Sequence, residues 1–236
     1  MSGGRTALLV GATGLVGSHL LDRLLEQPDY ASVTVWVRRD VSLRHPRLHP
    51  VVVDFEHLLQ EPPRRLAPAG SGDVQFPEDV FVALGTTIKK AGSQQAFYRV
   101  DYNYPFQVAY LVQQRGAQRF LMVSALGANA ASRVFYNRVK GEAENAIREL
   151  GLPKVWFFRP SLLLGERAES RPGEKLGQAI GKWIAPLLVG RLRRYRPIEA
   201  DAVAAAMVYT ATHEVPPGVI ESDEIARLAP LGTPGA

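Results

Sequence analysis

Short apolar runs alternate along the chain with longer segments in which apolar residues recur every three or four positions. The apolar runs predict six strands, at residues 6–10, 32–37, 51–53, 79–84, 119–124 and 154–159. Helical periodicity covers residues 14–27, 92–115 and 133–150. Strands that alternate with helices predict an α/β fold of Rossmann type, with a doubly wound parallel sheet.

After residue 159 this alternation becomes looser. An apolar segment at 176–189 and a basic run at 191–196 precede an alanine-rich helix from about 201 to 212. We therefore predict one Rossmann domain over residues 1–229, in which residues 161–229 mainly form a small C-terminal cap over the carboxyl ends of the strands. Residues 230–236 are rich in Pro and Gly, and they predict a flexible tail.

Composition narrows the class of protein. Hydrophobic residues make up 46% of the chain and charged residues 22%, which is typical of a globular protein. The absence of cysteine excludes disulfides and thiolate metal sites, and the five histidines lack metal-ligand spacing, so no metal site is predicted. The first residues do not resemble a secretory signal, which predicts a cytoplasmic location. Lys182 and Pro186 interrupt the most apolar segment, so no membrane span is predicted.

The net charge of +5 reflects an excess of arginine, which suits phosphate binding. No helix-turn-helix or RNA-binding signature accompanies this charge, so nucleic acid is not expected as a partner. A phosphorylated small molecule explains the arginines better, and the basic run at 191–196 is interpreted as a solvated face.

The strongest motif is Gly11-Ala-Thr-Gly14-Leu-Val-Gly17, which lies directly between a predicted strand and a predicted helix. Glycines at these positions let the backbone approach a pyrophosphate, and the helix N-terminus supplies positive potential. We therefore predict dinucleotide binding at Gly11, Gly14 and Gly17. A tight turn without a ligand is the less favoured alternative.

The end of the second strand indicates which dinucleotide binds. An acidic residue there typically contacts the ribose 2′-hydroxyl of NADH, whereas an arginine can neutralise the 2′-phosphate of NADPH. Arg38 and Arg39 follow the strand directly, which favours NADPH, while Asp40 leaves NADH open.

Two further strand ends carry candidate nucleotide contacts. Asp54 could accept a hydrogen bond from the adenine amine, or it could equally cap the turn that follows. Leu84, Gly85 and Thr86 end the fourth strand, where a glycine would let the backbone pass close to the ribose. An ordinary turn at this point is a competing interpretation.

Ser124 ends the fifth strand, and Tyr136 and Lys140 follow at i, i+4 spacing on one face of a predicted helix. An adjacent ammonium favours the phenolate form of a tyrosine, and a serine hydroxyl can hold a substrate oxygen. The three residues predict a proton donor beside a hydride donor, with Ser124, Tyr136 and Lys140 as catalytic residues.

These features, together with the strand-end pair Arg159-Pro160, resemble the short-chain dehydrogenase/reductase superfamily in its atypical, NmrA-like branch. Within that branch, further blocks resemble the Tat-interacting-protein type of oxidoreductase: Val37-Arg38-Arg39, Val52-Val53-Asp54-Phe55-Glu56, Leu84-Gly85-Thr86-Thr87, Val100-Asp101-Tyr102, Tyr136-x-x-Val139-Lys140-Gly141-Glu142 and Glu169-Ser170-Arg171-Pro172-Gly173-Glu174. The blocks extend over about residues 7 to 176.

The resemblance implies a Rossmann fold that binds NADPH, with Tyr136 as the catalytic acid. It implies cofactor positions at Thr13, Gly14, Leu15, Val16, Arg38, Leu84, Gly85, Tyr136, Lys140, Leu163 and Arg171, to which we add Pro160. Better-studied reductases complete the proton relay with an asparagine, and Asp101 takes that position here.

The predicted function is NADPH-dependent hydride transfer to a carbonyl or related small-molecule substrate. The alternative is an NADP(H)-binding redox sensor or regulatory protein with little or no turnover. The sequence leaves the substrate open, and it leaves open whether the chain forms a homo-oligomer or binds a protein partner.

Overall fold

A computed structural model describes residues 4–42, 44–63, 76–165 and 188–232. Its strands are β1 (Arg5–Val10), β2 (Tyr30–Val37), β3 (Leu48–Val52), β4 (Asp79–Val82), β5 (Arg119–Val123), β6 (Lys154–Arg159), β7 (Leu163–Leu164), β8 (Ile198–Glu199) and β9 (Gly218–Glu221). Among these residues, seven strands form one parallel sheet in the order β3-β2-β1-β4-β5-β6-β9, and β7 pairs with β8 separately. The predicted doubly wound parallel sheet is confirmed.

The helices of the described residues are α1 (Leu15–Glu26), α2 (Ile88–Ala91), α3 (Gln94–Tyr98), α4 (Tyr104–Gln114), α5 (Phe135–Glu149), α6 (Ala200–Thr212) and α7 (Ser222–Leu228). A π-helical turn, Arg99–Asn103, joins α3 to α4. Two 3₁₀ helices occupy Gly190–Tyr195 and Ala229–Gly232.

Helices cover both faces of the sheet. Successive side chains of a strand point to opposite faces, so each strand contributes to two cores. In β1, Ala7 and Leu9 pack into a core shared with α1 and α6. Leu8 and Val10 pack into a second core shared with α4 and α5. Both cores therefore hold the strands rigidly, so their carboxyl ends form a stable platform.

Two elements differ from the sequence prediction at the sheet edges. Strand β3 begins at Leu48, three residues before the predicted start, and includes Pro50. An edge strand tolerates a proline because one of its sides donates no hydrogen bonds to a neighbour. Strand β9 was not predicted; this four-residue strand pairs only with β6, at the opposite edge.

The predicted helix over 92–115 corresponds to α3, the π-helical turn and α4, which follow one another without a gap from Gln94 to Gln114. Gly92 adopts φ +82° and ends α2, and Ser93 then caps α3 by accepting a hydrogen bond from the Ala96 N–H. The π-helical turn interrupts the remainder. Such turns inside α-helices often mark functional positions, and this one carries the buried side chain of Asp101.

The described residues within 161–229 contribute both to a small peripheral sheet and to the main fold. Strands β7 and β8 form the small sheet. Helix α6 packs on α1, where Arg23 binds Asp201 through two contacts of 2.7 Å, and β9 extends the large sheet. Residues 230–232, predicted as flexible tail, end the 3₁₀ helix against α6, and 233–236 lie outside the described residues.

A buried charge cluster joins the amino-terminal ends of four strands. The Asp79 carboxylate, fully buried, accepts a hydrogen bond from Tyr30 at 2.7 Å and lies 2.8 Å from Arg5 and 3.1 Å from Arg119. Burial, followed by the charge of Asp79, raises the pKa of Tyr30 well above its ordinary value. This cluster lies at the amino-terminal ends of the strands, whereas the predicted site lies at their carboxyl-terminal ends, so the role of the cluster is structural.

We expect Asp79→Asn to lower the free energy of unfolding by about 2 kcal/mol, because hydrogen bonds to charged groups contribute roughly 1.5–3 kcal/mol each and the arginines here remain partly solvated. Urea unfolding of the purified variant measures this loss. An unchanged unfolding midpoint would show that the cluster does not stabilise the sheet.

Candidate functional site

The predicted site residues collect at one edge of the sheet. Gly11, Arg38, Ser124 and Pro160 directly follow β1, β2, β5 and β6, and Leu84 follows β4 after one residue. Because all these strands are parallel, their carboxyl ends lie at the same edge. The chain reverses its direction of travel across the sheet between β1 and β4, which is where ligands of open α/β sheets bind.

The space at the carboxyl ends of β1 and β4 is called the crevice here. Close backbone contacts in this crevice require two of the glycines. Gly11 adopts φ +96°, and a Cβ atom there would lie 2.6 Å from the carbonyl oxygen of Ala83. A Cβ atom on Gly17 would lie only 1.9 Å from the carbonyl oxygen of Gly11. The turn therefore brings α1 against the end of β1 at a distance that no side chain allows.

The N-terminus of α1 faces this turn without a competing cap. Gly14 is the N-cap residue, no side chain caps the helix, and the first turn has no acidic residue. Thr13 and Gly14 are exposed, while Leu15 is half-buried and Val16 is buried. Orphan N–H groups and the positive end of the helix dipole suit an anionic group. The cradle thus fits a pyrophosphate.

The end of β2 presents two arginines to solvent. Arg38 and Arg39 are exposed, and neither forms an ion pair with any residue that the structure describes. The Asp40 carboxylate accepts a hydrogen bond from the N–H of Val41 at 2.8 Å. Both guanidinium groups are thus available to a ligand, whereas the acidic neighbour caps its own turn.

Arg38 also lines a cavity of about 310 Å³ whose other walls are Val52, Val53, Asp54, Phe55, Glu56 and Tyr104. The Asp54 carboxylate accepts the Glu56 N–H at 2.9 Å and lies 2.8 Å from Nδ1 of His57. The hydrogen bond with His57 is the main cause that lowers the pKa of Asp54, and it also raises the pKa of His57. Asp54 therefore caps the turn and also borders the cavity.

Sequence reasoning missed the polar wall opposite Arg38. Tyr104 donates a hydrogen bond to Glu56, and Arg99 lies 3.2 Å from the same carboxylate. The hydrogen bond from Tyr104 is the main cause that lowers the pKa of Glu56. Burial is the main cause that raises the pKa of Tyr104 to about 12, and the hydrogen bond to Glu56 is the second cause. These residues hold the π-helical turn and α4 against the chain that follows β3.

A buried ion pair lies beside the loop that follows β4. Nζ of Lys140 is 2.7 Å from Oδ1 of Asp101, and the two side chains are 3% and 0% exposed. The Thr86 N–H donates to the other carboxylate oxygen at 3.0 Å. A Cβ atom on Gly85 would lie 3.6 Å from Oδ1 of Asp101 and 3.8 Å from Nζ. Gly85 is exposed, so it forms the thin cover between this pair and the crevice.

Competing influences set the charge state of Lys140. Burial is the largest single influence on its pKa and lowers it. The negative charge of Asp101, followed by the influence of Tyr136, outweighs burial and leaves the pKa above its ordinary value. Lys140 is therefore an ammonium that depends on its carboxylate neighbour.

Tyr136 lies one helical turn before Lys140 on α5, as its spacing predicts. Its half-buried ring packs on Phe97 of α3, with ring centroids 5.4 Å apart. Helix α5 can approach the loop after β5 closely because Gly141 has no Cβ atom. A Cβ atom at this position would lie only 2.2 Å from the Ala130 nitrogen. These contacts fix the position of the Tyr136 ring between α3 and α5.

The hydroxyl of Ser124 belongs to a buried hydrogen-bond network between β5 and α5. It donates to Oε1 of Glu144 at 2.5 Å, and Arg159 holds the same buried carboxylate at 2.6 and 2.9 Å. Glu144 follows Tyr136 by eight residues, which is about 12 Å along a helix at 1.5 Å per residue. Its role in holding a substrate oxygen stays a prediction, and the observed contact joins β5 to α5.

The remaining predicted positions lie near the same edge. The carbonyl of buried Pro160 accepts the Leu126 N–H at 3.0 Å, and Leu163 in β7 packs against the core of α1. Arg171 lies outside the described residues.

Among the described residues, no cluster of side chains could hold a metal ion. Within the same ranges, no helix has the length and apolar character to cross a membrane.

Residues 11–214 match a protein family described as NAD(P)H-binding. The chain belongs to this family, in the atypical, NmrA-like branch of the short-chain dehydrogenases/reductases. The protein fmp52 of Aspergillus fumigatus is 33% identical over 214 residues, which cover 89% of this chain and 90% of that protein. The protein HTATIP2 of Rattus norvegicus is 38% identical over 178 residues, 74% of this chain and 69% of that one.

A solved structure supports the same fold. The Bordetella bronchiseptica enzyme WbmH, determined in complex with NAD⁺, superposes with a TM-score of 0.65 at 18% identity, covering 93% of this chain and 75% of that one. This structural match shows the Rossmann fold, and the family match over residues 11–214 makes this chain an NAD(P)H-binding protein of the oxidoreductase family.

The predicted cytoplasmic location is wrong by this comparison. Fungal relatives, including those of Aspergillus fumigatus and Candida albicans, are named as mitochondrial proteins. The prediction rested only on how the chain begins, and the names of these relatives point to mitochondria instead.

Proposed function

We propose that this protein is an NADPH-dependent oxidoreductase that transfers hydride to a carbonyl or related small-molecule substrate. The observation that carries this proposal is the buried pair of Lys140 and Asp101 beneath Gly85, one helical turn from Tyr136. It lies at the sheet edge where the glycine turn and the open N-terminus of α1 form an anion cradle. An acid–base group thus adjoins a nucleotide site.

Each residue has a distinct part in the proposed reaction. Gly11, Gly14 and Gly17 let the pyrophosphate approach the N-terminus of α1. When bound, the reduced nicotinamide supplies the hydride. Tyr136 donates the proton to the substrate oxygen, and the ammonium of Lys140 beneath Gly85 favours the phenolate that this transfer leaves.

The test of this function is a reductase screen with NADPH and a panel of small aldehydes, ketones and enones. NADPH oxidation that depends on a panel member, and that Tyr136→Phe abolishes, supports the proposal. A protein that binds NADPH tightly but oxidises it with no panel member would contradict it.

The selectivity for NADPH is expected to come from the end of β2. A double Arg38→Ala, Arg39→Ala variant removes two charge-assisted contacts, so the preference for NADPH over NADH should fall at least ~10-fold, since each such bond contributes roughly 1.5–3 kcal/mol. Fluorescence titration with both nucleotides measures it.

A matched control replaces Arg193 and Arg194, which are exposed on the 3₁₀ helix before β8. Because this change removes the same total charge from another surface, the preference should persist. Equal affinities of the wild type for NADPH and NADH would rule out the assigned role of Arg38 and Arg39.

One observation favours a second function, a nucleotide-binding regulator with little turnover. The carboxylate of Asp101 lies 2.7 Å from Nζ, so the ammonium of Lys140 already has a partner inside the protein. Tight NADPH binding together with failure on the whole panel would favour this regulator over the enzyme.

A further inference from the structure

Two hydrogen-bond donors face Asp101 from different elements. The ammonium of Lys140 on α5 lies 2.7 Å from Oδ1, and the Thr86 N–H after β4 donates to Oδ2 at 3.0 Å. An ionised carboxylate can accept at both oxygens, whereas an asparagine would turn its NH₂ group toward one of the two donors. This arrangement suits a carboxylate better than the asparagine that the family resemblance implies for this position.

We propose that Asp101 is a positioning residue that keeps the Lys140 side chain charged and fixed beneath Gly85, facing the nucleotide crevice. The π-helical turn presents Asp101, and the Thr86 N–H fixes its carboxylate, so the position of Nζ is set by backbone elements on both sides. This inference depends on the proposed function only in naming the nucleotide as the ligand that Lys140 faces.

No other described group can replace this carboxylate. The other titratable groups that act on Lys140 are Tyr136 and Glu144, both on its own helix. Tyr136 carries a negative charge only as a phenolate. The Glu144 carboxylate is already bound by Arg159, Arg148 and the hydroxyl of Ser124. Without Asp101, burial would favour the neutral amine at Lys140.

The experiment follows the protonation of Lys140 directly in the nucleotide-free protein. The chain has six lysines, and ¹³C-labelled lysine side chains give resonances that move when the amine loses its proton. The variant Lys140→Met assigns the resonance of Lys140. In the wild type, this resonance should keep its ammonium position up to the highest pH at which the protein remains folded.

In Asp101→Asn, we expect the Lys140 resonance to titrate at lower pH than in the wild type. The matched control is Asp79→Asn, which also neutralises a buried carboxylate paired with cations, but at the opposite sheet edge. In that variant the titration of Lys140 should not change. An Asp101→Asn protein whose Lys140 titrates as in the wild type would overturn the proposal.

A second variant covers the case in which Asp101→Asn does not fold. A buried ammonium without its partner is strongly destabilising, but removing both partners of a buried pair is often neutral. The double variant Asp101→Asn, Lys140→Met should therefore fold even if Asp101→Asn does not, and if both fold it should unfold at the higher urea concentration. A double variant that is no more stable than Asp101→Asn would contradict the assigned pairing.

A nucleotide titration separates this inference from the proposed function. Wild-type protein that fails to bind NADPH would refute the function and leave the lysine titration intact as a test of Asp101. If NADPH binds, Asp101→Asn should weaken it about ten-fold or more, the scale of one lost charge-assisted hydrogen bond, with greater loss at higher pH. A pH-independent loss would mean that Asp101 supports only the shape of the site.

Discussion

Replacing Tyr136 by phenylalanine should lower any NADPH-dependent turnover at least ~100-fold, the usual scale for losing a positioned general acid. The change removes only the hydroxyl, and the ring keeps its contact with Phe97. NADPH affinity should therefore stay within about two-fold of the wild type, because the glycine turn and the arginines after β2 carry most of the predicted contacts with the nucleotide. Steady-state kinetics with a substrate from the screen, together with fluorescence titration, measures both quantities.

The matched control for this prediction is Tyr110→Phe. Tyr110 is 41% exposed on α4, and it lies outside the crevice described above. Its loss of a hydroxyl should leave both turnover and affinity unchanged. If Tyr136→Phe retained wild-type turnover, the proton would have to come from another group or from water.

The second large effect is expected from Gly17→Ala. A Cβ atom would lie 1.9 Å from the Gly11 carbonyl oxygen, so either α1 or the glycine turn must move. Overpacking typically costs 1–3 kcal/mol, and both overlapping partners here belong to rigid elements. We expect a loss of about 2 kcal/mol or more in the free energy of unfolding and the loss of measurable NADPH binding.

Gly14→Ala is the matched control within the same turn. Its Cβ atom would lie 3.2 Å from the same carbonyl oxygen, a contact that a shift of a few tenths of an ångström relieves, and its φ of −82° suits any residue. Urea unfolding should therefore distinguish the two variants clearly. Equal stability of Gly17→Ala and the wild type would show that the turn is looser than the structure indicates.

Much of the site could be predicted because its pieces are local. The glycine turn needs only a strand, three glycines and a helix that are contiguous in the chain. Tyr136 and Lys140 share a face because helical geometry fixes their i, i+4 relation. The arginines after β2 need only the end of that strand. In each case neighbours in sequence are neighbours in space.

The pairing of Lys140 with Asp101 could not be predicted from such patterns. Asp101 lies in a segment whose periodicity predicts one continuous α-helix, and the structure replaces one turn of that helix by the π-helical turn. The aspartate could be recognised only as the replacement for a family asparagine. Its partner became evident when the packing of α3 and α4 against α5 placed the two side chains together.

The same distinction applies to Ser124 and to β9. The sequence placed Ser124 correctly at a strand end, but the packing of α5 on β5 gave its hydroxyl to Glu144. The sequence around 218–221 is too short to indicate a strand, and pairing with β6 supplies the hydrogen bonds that it cannot make alone.

The doubly wound sheet, the glycine turn and the pair of Tyr136 and Lys140 follow from the amino-acid sequence, because periodicity, backbone freedom and helical spacing act over a few residues. Three features follow only from the packed fold: the carboxylate that pairs with Lys140, the acceptor of the Ser124 hydroxyl and the strand β9 that ends the sheet. These features depend on contacts between distant segments, whose energies arise only when burial excludes water and forces each polar group to find a partner.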